Sequence, residues 1–189
     1  MLEKIPSALG EALSGLKAGT EKTAFHASFP DVPASLTLSS DAFADGAAIP
    51  ARFTADGEGL SPPLAWSGLP PGTVSVVLLV EDAGSPTPQP LVHLIVWNLP
   101  SGRPGLDEGD VSEPSASPDV PLGRNSFLQT AWLPPDPPSG HGQHAYLFQI
   151  YAMGQTLDLD ENPGRSALLD AMKGLVLAKG VLIGTYARA

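Results

Sequence analysis

Val74 to Val80 reads VSVVLLV. Pro70-Pro71-Gly72 precedes it and Asp82-Ala83-Gly84 follows it. A short, β-branched run between turn signals reads as a buried strand. Val92 to Leu99 (VHLIVWNL), stopped by Pro100, and Tyr146 to Met153 (YLFQIYAM) read the same way. Leu36-Thr37-Leu38 and Val181 to Tyr186 (VLIGTY) add two shorter strands, and Ile49 to Phe53 a weaker one. Strands in succession without helices between them predict a mainly β chain with a sandwich or barrel-like core.

The rest of the chain fits that core. Prolines number 21 and glycines 20 among 189 residues, which disfavours a helical bundle. Hydrophobic residues make up 42%, enough to bury a core. Residues 4–17 place Ile5, Leu9, Ala12, Leu13 and Leu16 at helical spacing. We read residues 1–34 as a helical extension and 35–189 as one domain. Near the end, Leu168, Leu169, Met172, Leu175, Val176 and Lys179 share one helical face, with Ser166 as N-cap and Gly180 as stop. Residues 101–123 hold five acids and four prolines and read as a long loop.

Composition excludes several function classes. Cysteine is absent, so there is no disulfide, thiol chemistry or Cys-ligated metal. The net charge is −10, which disfavours nucleic acid and anionic membrane surfaces as partners. No apolar run reaches the roughly 18 residues of a membrane span. The N-terminus lacks the basic start and apolar stretch of a signal peptide. A cytoplasmic location without membrane insertion is the expectation.

Four histidines limit the chemistry: His26, His93, His141 and His144. His26 reads as a surface residue. His93 lies in an apolar strand, where alternation puts it on one face with Ile95 and Trp97. Its bland reading is a satisfied core residue. His144 and Tyr146, two apart, share a face, and the rigid segment PPDPPSGHGQ (134–143) precedes them. Asp82 ends a strand, either capping a turn or facing a cleft. Imidazoles and a phenol can donate to an anion, and a carboxylate can hold an imidazole in one tautomer. His141 and His144 have a His-x-x-His spacing, but in a Gly-rich turn rather than on a helix, so no metal is expected. Neither a Gly-x-Ser-x-Gly elbow nor a P-loop occurs.

The order of motifs resembles the phosphatidylethanolamine-binding protein family, also called Raf kinase inhibitor-like proteins, in its bacterial form. Four pieces carry the resemblance, from about Leu36 to Arg188. They are DGEGLSPPLAW (56–66), DAGSP (82–86), His93 with Asn98, and PPDPP (134–138) leading into GQHAY (142–146). The resemblance implies a Greek-key β-sandwich of two antiparallel sheets with an N-terminal and a C-terminal helix. It implies a small anion pocket formed by Asp82, Pro86, His93, Pro137, His144 and Tyr146. It also implies a non-catalytic binding role for phosphate-bearing ligands, without a cofactor. A small phosphate- or carboxylate-bearing ligand, a protein partner such as a kinase, and a homodimer follow from it. The alternative is a hydrolase using Asp82 and a pocket histidine on a small ester. A vestigial pocket is the third reading.

Two positions depart from the family pattern. Gly84 stands where the family has a second aspartate, and Ala145 where it usually has arginine. Alternation aims position 145 away from the pocket, whereas the change at 84 removes a charge beside it. The acidic 101–123 loop is expected to shape the rim. Protonated histidines would hold an anion, so binding should weaken as pH rises through roughly 6 to 7.5.

Overall fold

A computed structural model describes residues 7–113 and 119–188. Helix α1 (Ser7–Leu13) and the short α2 (Ala24–Ala27) precede the first strand, and α3 (Arg165–Met172) precedes the last. The strands are β1 (Thr37–Ser39), β2 (Leu64–Ser67), β3 (Ser75–Asp82), β4 (Leu91–Pro100), β5 (Gly105–Leu106), β6 (His144–Met153) and β7 (Val176–Tyr186). They form two antiparallel sheets, in the orders β1-β2-β5 and β4-β3-β6-β7. The predicted mainly β fold of two antiparallel sheets is the observed one.

Every residue of β3 is buried, and alternation explains how. Val76, Leu78 and Val80 face the core between the sheets, with Trp66, Phe148 and Ile150. Val77 and Leu79 face the other side, with Phe29, Tyr151, Leu168 and Met172. A strand covered on both faces is apolar along most of its length, which is why the Val76–Val80 run shows no alternation.

Residues 20–29 cover that second face. Glu81, fully buried, accepts from Ala24 N (2.7 Å), Gln149 Nε2 (2.8 Å) and Arg165 Nε (2.6 Å). Lys179 Nζ donates to the Phe25 and Phe29 carbonyls. Charged groups buried this way need such partners to offset their desolvation.

Several local expectations are corrected. The helix read across 166–179 ends at Met172; Gly174 takes φ +74° and β7 begins at Val176. Val176 and Lys179 therefore pair with Met153 and Tyr151 on β6. Ladder pairing with a buried strand overrides the helical spacing of this segment. The weak strand at 49–53 is a 3₁₀ turn over Ala51–Phe53. Helix α1 is shorter than the 4–17 stretch, whose first three residues lie outside the described ones, and Leu16 is 56% exposed. The 101–123 loop contains β5 and buries Val111 and Val120. Among the described residues, no helix is long and apolar enough to cross a membrane.

Candidate functional site

Asp82 closes β3 and Tyr146 lies opposite it in the ladder to β6. His93 reaches the same place by an irregularity. Val80 pairs with Leu94, but Glu81 pairs with Val92, so His93 is the extra residue of a β-bulge. A bulge re-aims a side chain. His93 therefore does not share a face with Ile95, which packs on the outer side of the sheet. Instead its ring stands edge-on to Tyr146, with centroids 5.1 Å apart at 89°.

These residues line a cavity of about 230 Å³ with Ser85, Pro86, His144, Asp136 and Pro138. Ala55, Leu91, Phe127, Gln129, Leu133 and Pro134 complete its wall. Of the six residues expected at a pocket, Asp82, Pro86, His93, His144 and Tyr146 come together. Pro137 does not line the cavity; its carbonyl accepts from Arg188 Nη1 at 3.0 Å, and Pro138 faces inward in its place. The rim comes from 127–138, and no described residue of the 101–123 loop lines it. Asn125 builds the rim turn by accepting from the Phe127 and Gln129 amides.

Each polar group has a defined role. His93 Nδ1 is 2.6 Å from the Leu133 carbonyl. A carbonyl only accepts, so Nδ1 carries the proton and a neutral ring presents a bare Nε2. That Nε2 and the Tyr146 hydroxyl are buried without a hydrogen-bond partner among the described residues. Burial pushes the His93 pKa below the usual histidine range, against Asp82, the Leu133 carbonyl and Asp136 and with His144. Burial, then the charges of Asp82 and Asp136, holds the Tyr146 hydroxyl well above the usual phenol range.

His144 is fully engaged. Its Nδ1 lies 2.8 Å from Asp82 Oδ2, and its Nε2 lies 2.7 Å from His141 Nδ1. The other Asp82 oxygen accepts from Gly84 N at 2.7 Å. His141 Nε2 faces the carbonyls of Leu13 (2.9 Å) and Leu16 (3.1 Å) at the end of α1. The expectation that both pocket histidines offer an N–H to an anion does not match this geometry. His141 was legible only as half of a His-x-x-His pair; its link to α1 joins residues more than 120 apart. No group of three or more described His, Asp or Glu residues is arranged to hold a metal.

The other motif residues are structural. Asn98 exchanges two hydrogen bonds with the Leu157 backbone. Asp56 holds Arg188, which also reaches Asp136 at 2.6 Å. Ala145 lies between two cavity residues and pairs with Thr185. His26 is exposed.

Known proteins repeat this arrangement of chain. The phosphatidylethanolamine-binding protein family matches residues 39–187. A UPF0098 protein of Methanothermobacter thermautotrophicus is 37% identical over 154 residues, spanning 81% of this chain and 99% of that protein. The crystal structure of CT736 from Chlamydia trachomatis, described as a phosphatidylethanolamine-binding protein homolog, is 34% identical. It superposes with a TM-score of 0.74 over 82% of this chain and 99% of that one. YbcL of E. coli, 24% identical with a TM-score of 0.77 over 82% of this chain and all of its own, shares the fold. With the family matched across most of its length and relatives above 30% identity over four fifths of it, the chain belongs to the phosphatidylethanolamine-binding protein family.

Proposed function

We propose that this chain is a non-catalytic binding protein whose cavity takes a small phosphate-bearing head group. One observation carries the reading: Nε2 of His93 and the hydroxyl of Tyr146 are buried, without a hydrogen-bond partner among the described residues, and come from residues lining the same cavity. Leaving a buried polar atom unsatisfied costs about 1–3 kcal/mol; a head group whose oxygen accepts from Tyr146, and whose hydroxyl or accompanying water donates to His93 Nε2, recovers it. The apolar wall of Leu91, Phe127, Leu133 and the prolines suits the carbon skeleton attached to that group. A protein partner bearing such a phosphate would meet the mouth, where Phe127 is 46% exposed.

The hydrolase reading needs a histidine that activates water. His144 Nε2 is occupied by His141, so that reading rests on His93 alone. Assays with phosphate and carboxylic esters separate the two readings, since turnover would displace the binding role.

The direct test is an NMR titration with inorganic phosphate, acetate and phosphorylethanolamine, in wild type and in Tyr146→Phe. Saturable shifts at the amides of Asp82, His93 and Tyr146, weakened in the variant, are expected. Shifts absent up to tens of millimolar, or confined to the outer surface, would sink the reading.

A further inference from the structure

The segment 7–19 precedes the family match, which starts at residue 39. It is fastened to two loops of the domain. The amides of Ala18 and Gly19 donate to the carbonyls of Ser85 (2.8 Å) and Ala83 (2.9 Å). The carbonyls of Leu13 and Leu16 both face Nε2 of His141, at 2.9 and 3.1 Å. Lys17 Nζ adds an exposed contact to the Gln143 carbonyl at 3.4 Å. Gly10 packs so closely on Ser139 that a Cβ there would overlap its carbonyl. Helix α1 has seven residues, too few to persist without such docking. The segment thus leans on a titratable ring that is itself only 2% exposed.

That contact depends on a proton count. Carbonyls only accept, so His141 Nε2 carries a hydrogen. His141 Nδ1 and His144 Nε2 share a second across 2.7 Å. His144 Nδ1 and Asp82 Oδ2 share a third across 2.8 Å. Three protons on two rings, with the Asp82 carboxylate, leave the set without net charge. A fourth has no good place. On the rings it turns two N–H groups against each other and sets a second cation beside the first, the ring centroids being 4.8 Å apart. On Asp82 it removes the charge that balances the rings. The groups facing the pair are Asp82 from β3, His93 from β4, Tyr146 from β6, Asp136 from the rim and Lys17 from the segment itself; Glu11 on α1 is exposed.

We propose that His141 and His144 form an acid-sensitive latch, which holds residues 7–19 on the domain near neutral pH and lets them go on taking up one proton. Once the segment leaves, His141 meets water and protonates at the ordinary histidine value, about 6.5. His144, still beside Asp82, keeps both of its protons. The released state then binds four protons against three in the docked one, so release is favoured as pH falls. The two loops that the segment joins both reach the cavity wall, through Ser85, Pro86 and Pro138, and release removes a brace they share.

The test is amide hydrogen exchange of the full chain from about pH 7.5 to 5, corrected for intrinsic rates, with and without low urea. The ring nitrogens of His141 and His144 are followed by ¹⁵N NMR. The opening constant at Ala18 and Gly19 should rise by up to about tenfold per pH unit below about 6.5. Low urea should barely accelerate that opening, because a local release exposes little surface. Opening that stays flat with pH, or that rises only through the urea-sensitive unfolding shared with β3, would overturn the proposal. So would a second proton on His141 while both amides keep their protection, since the docked pair would then hold four protons. His141→Gln keeps a donor for the Leu13 and Leu16 carbonyls and cannot be protonated. Its opening at Ala18 and Gly19 should lose the acid dependence, whatever its level at neutral pH. Acid dependence that survives there would place the switch elsewhere, against the proposal. If this variant fails to fold, the wild-type profile with its urea dependence still decides.

Discussion

His141 and His144 face each other nitrogen to nitrogen, Nδ1 to Nε2, at 2.7 Å. The outer nitrogen of His141 meets two carbonyls, and that of His144 meets the Asp82 carboxylate. Carbonyls only accept, so the outer His141 nitrogen carries a proton. The inner hydrogen bond needs one more, and the contact to Asp82 a third. Three protons thus join Asp82, both histidines and the end of α1 into one chain.

Cutting that chain at His141 should free α1 while leaving the sheets in place. His141→Ala removes the partner of a buried nitrogen and both carbonyl contacts, a loss of about 1–3 kcal/mol. Amide exchange at Ala18 and Gly19, bonded to Ser85 and Ala83, should quicken more than in β3. Equal acceleration throughout the molecule would show that the histidine pair does not latch the N-terminal segment.

Gly84 is required by space. A Cβ there would lie 2.7 Å from the His144 Cα and 2.9 Å from its Cβ. Gly84→Ala should push His144 off Asp82 and destabilise the fold by about 1–3 kcal/mol. Gly84→Asp, which restores the family's usual residue, should do at least as much. Unchanged melting temperature and unchanged His144 ring shifts in Gly84→Ala would refute this.

His93 should make stability fall with acid. Its folded pKa is lowered by burial, so the unfolded chain binds the proton more readily. The contribution is complete above the unfolded value, about 6.5, and is lost as pH falls below it. One such group gives a slope of at most about 1.4 kcal/mol per pH unit. Denaturant unfolding between pH 5 and 8 should show a shallower slope in His93→Leu than in wild type. Identical slopes would mean that the ring is not buried neutral.

Asp56 and Arg188 make the second pH-sensitive contact. Hydrogen bonding to Arg188 holds the Asp56 carboxyl below its usual range, against desolvation. A depressed carboxyl stabilises the fold above the ordinary carboxylate pKa and loses that contribution as pH falls through its lowered one. Arg188→Met should therefore lower stability at pH 7 and flatten the acid limb below about pH 4. It should also disturb the cavity wall through Asp136, seen as shifts at the Pro138–Gly140 backbone. A variant with wild-type acid behaviour would remove Arg188 from this role.

Local sequence chemistry was enough to place the strands and the main polar groups of the cavity. The mainly apolar runs at 74–80, 92–99 and 146–153 needed only local chemistry to be read, because burial on both faces admits a polar residue only where it finds a partner, as Gln149 does with Glu81 and Tyr151. The two-residue spacing of His144 and Tyr146 likewise placed both on one face. Packing across the domain set the rest. Alternation put His93 beside Ile95, and a single bulge residue reversed that, because period-two counting fails where one strand gains a residue. Helical spacing across 166–179 yielded to pairing with β6. Gly84 looked like a lost charge and is a point of close approach to His144. His141 acquired its role only when α1 folded back over the 139–141 turn, where Gly10 meets the Ser139 backbone. Such contacts join segments far apart in the chain, and only the packing of the whole domain specifies them.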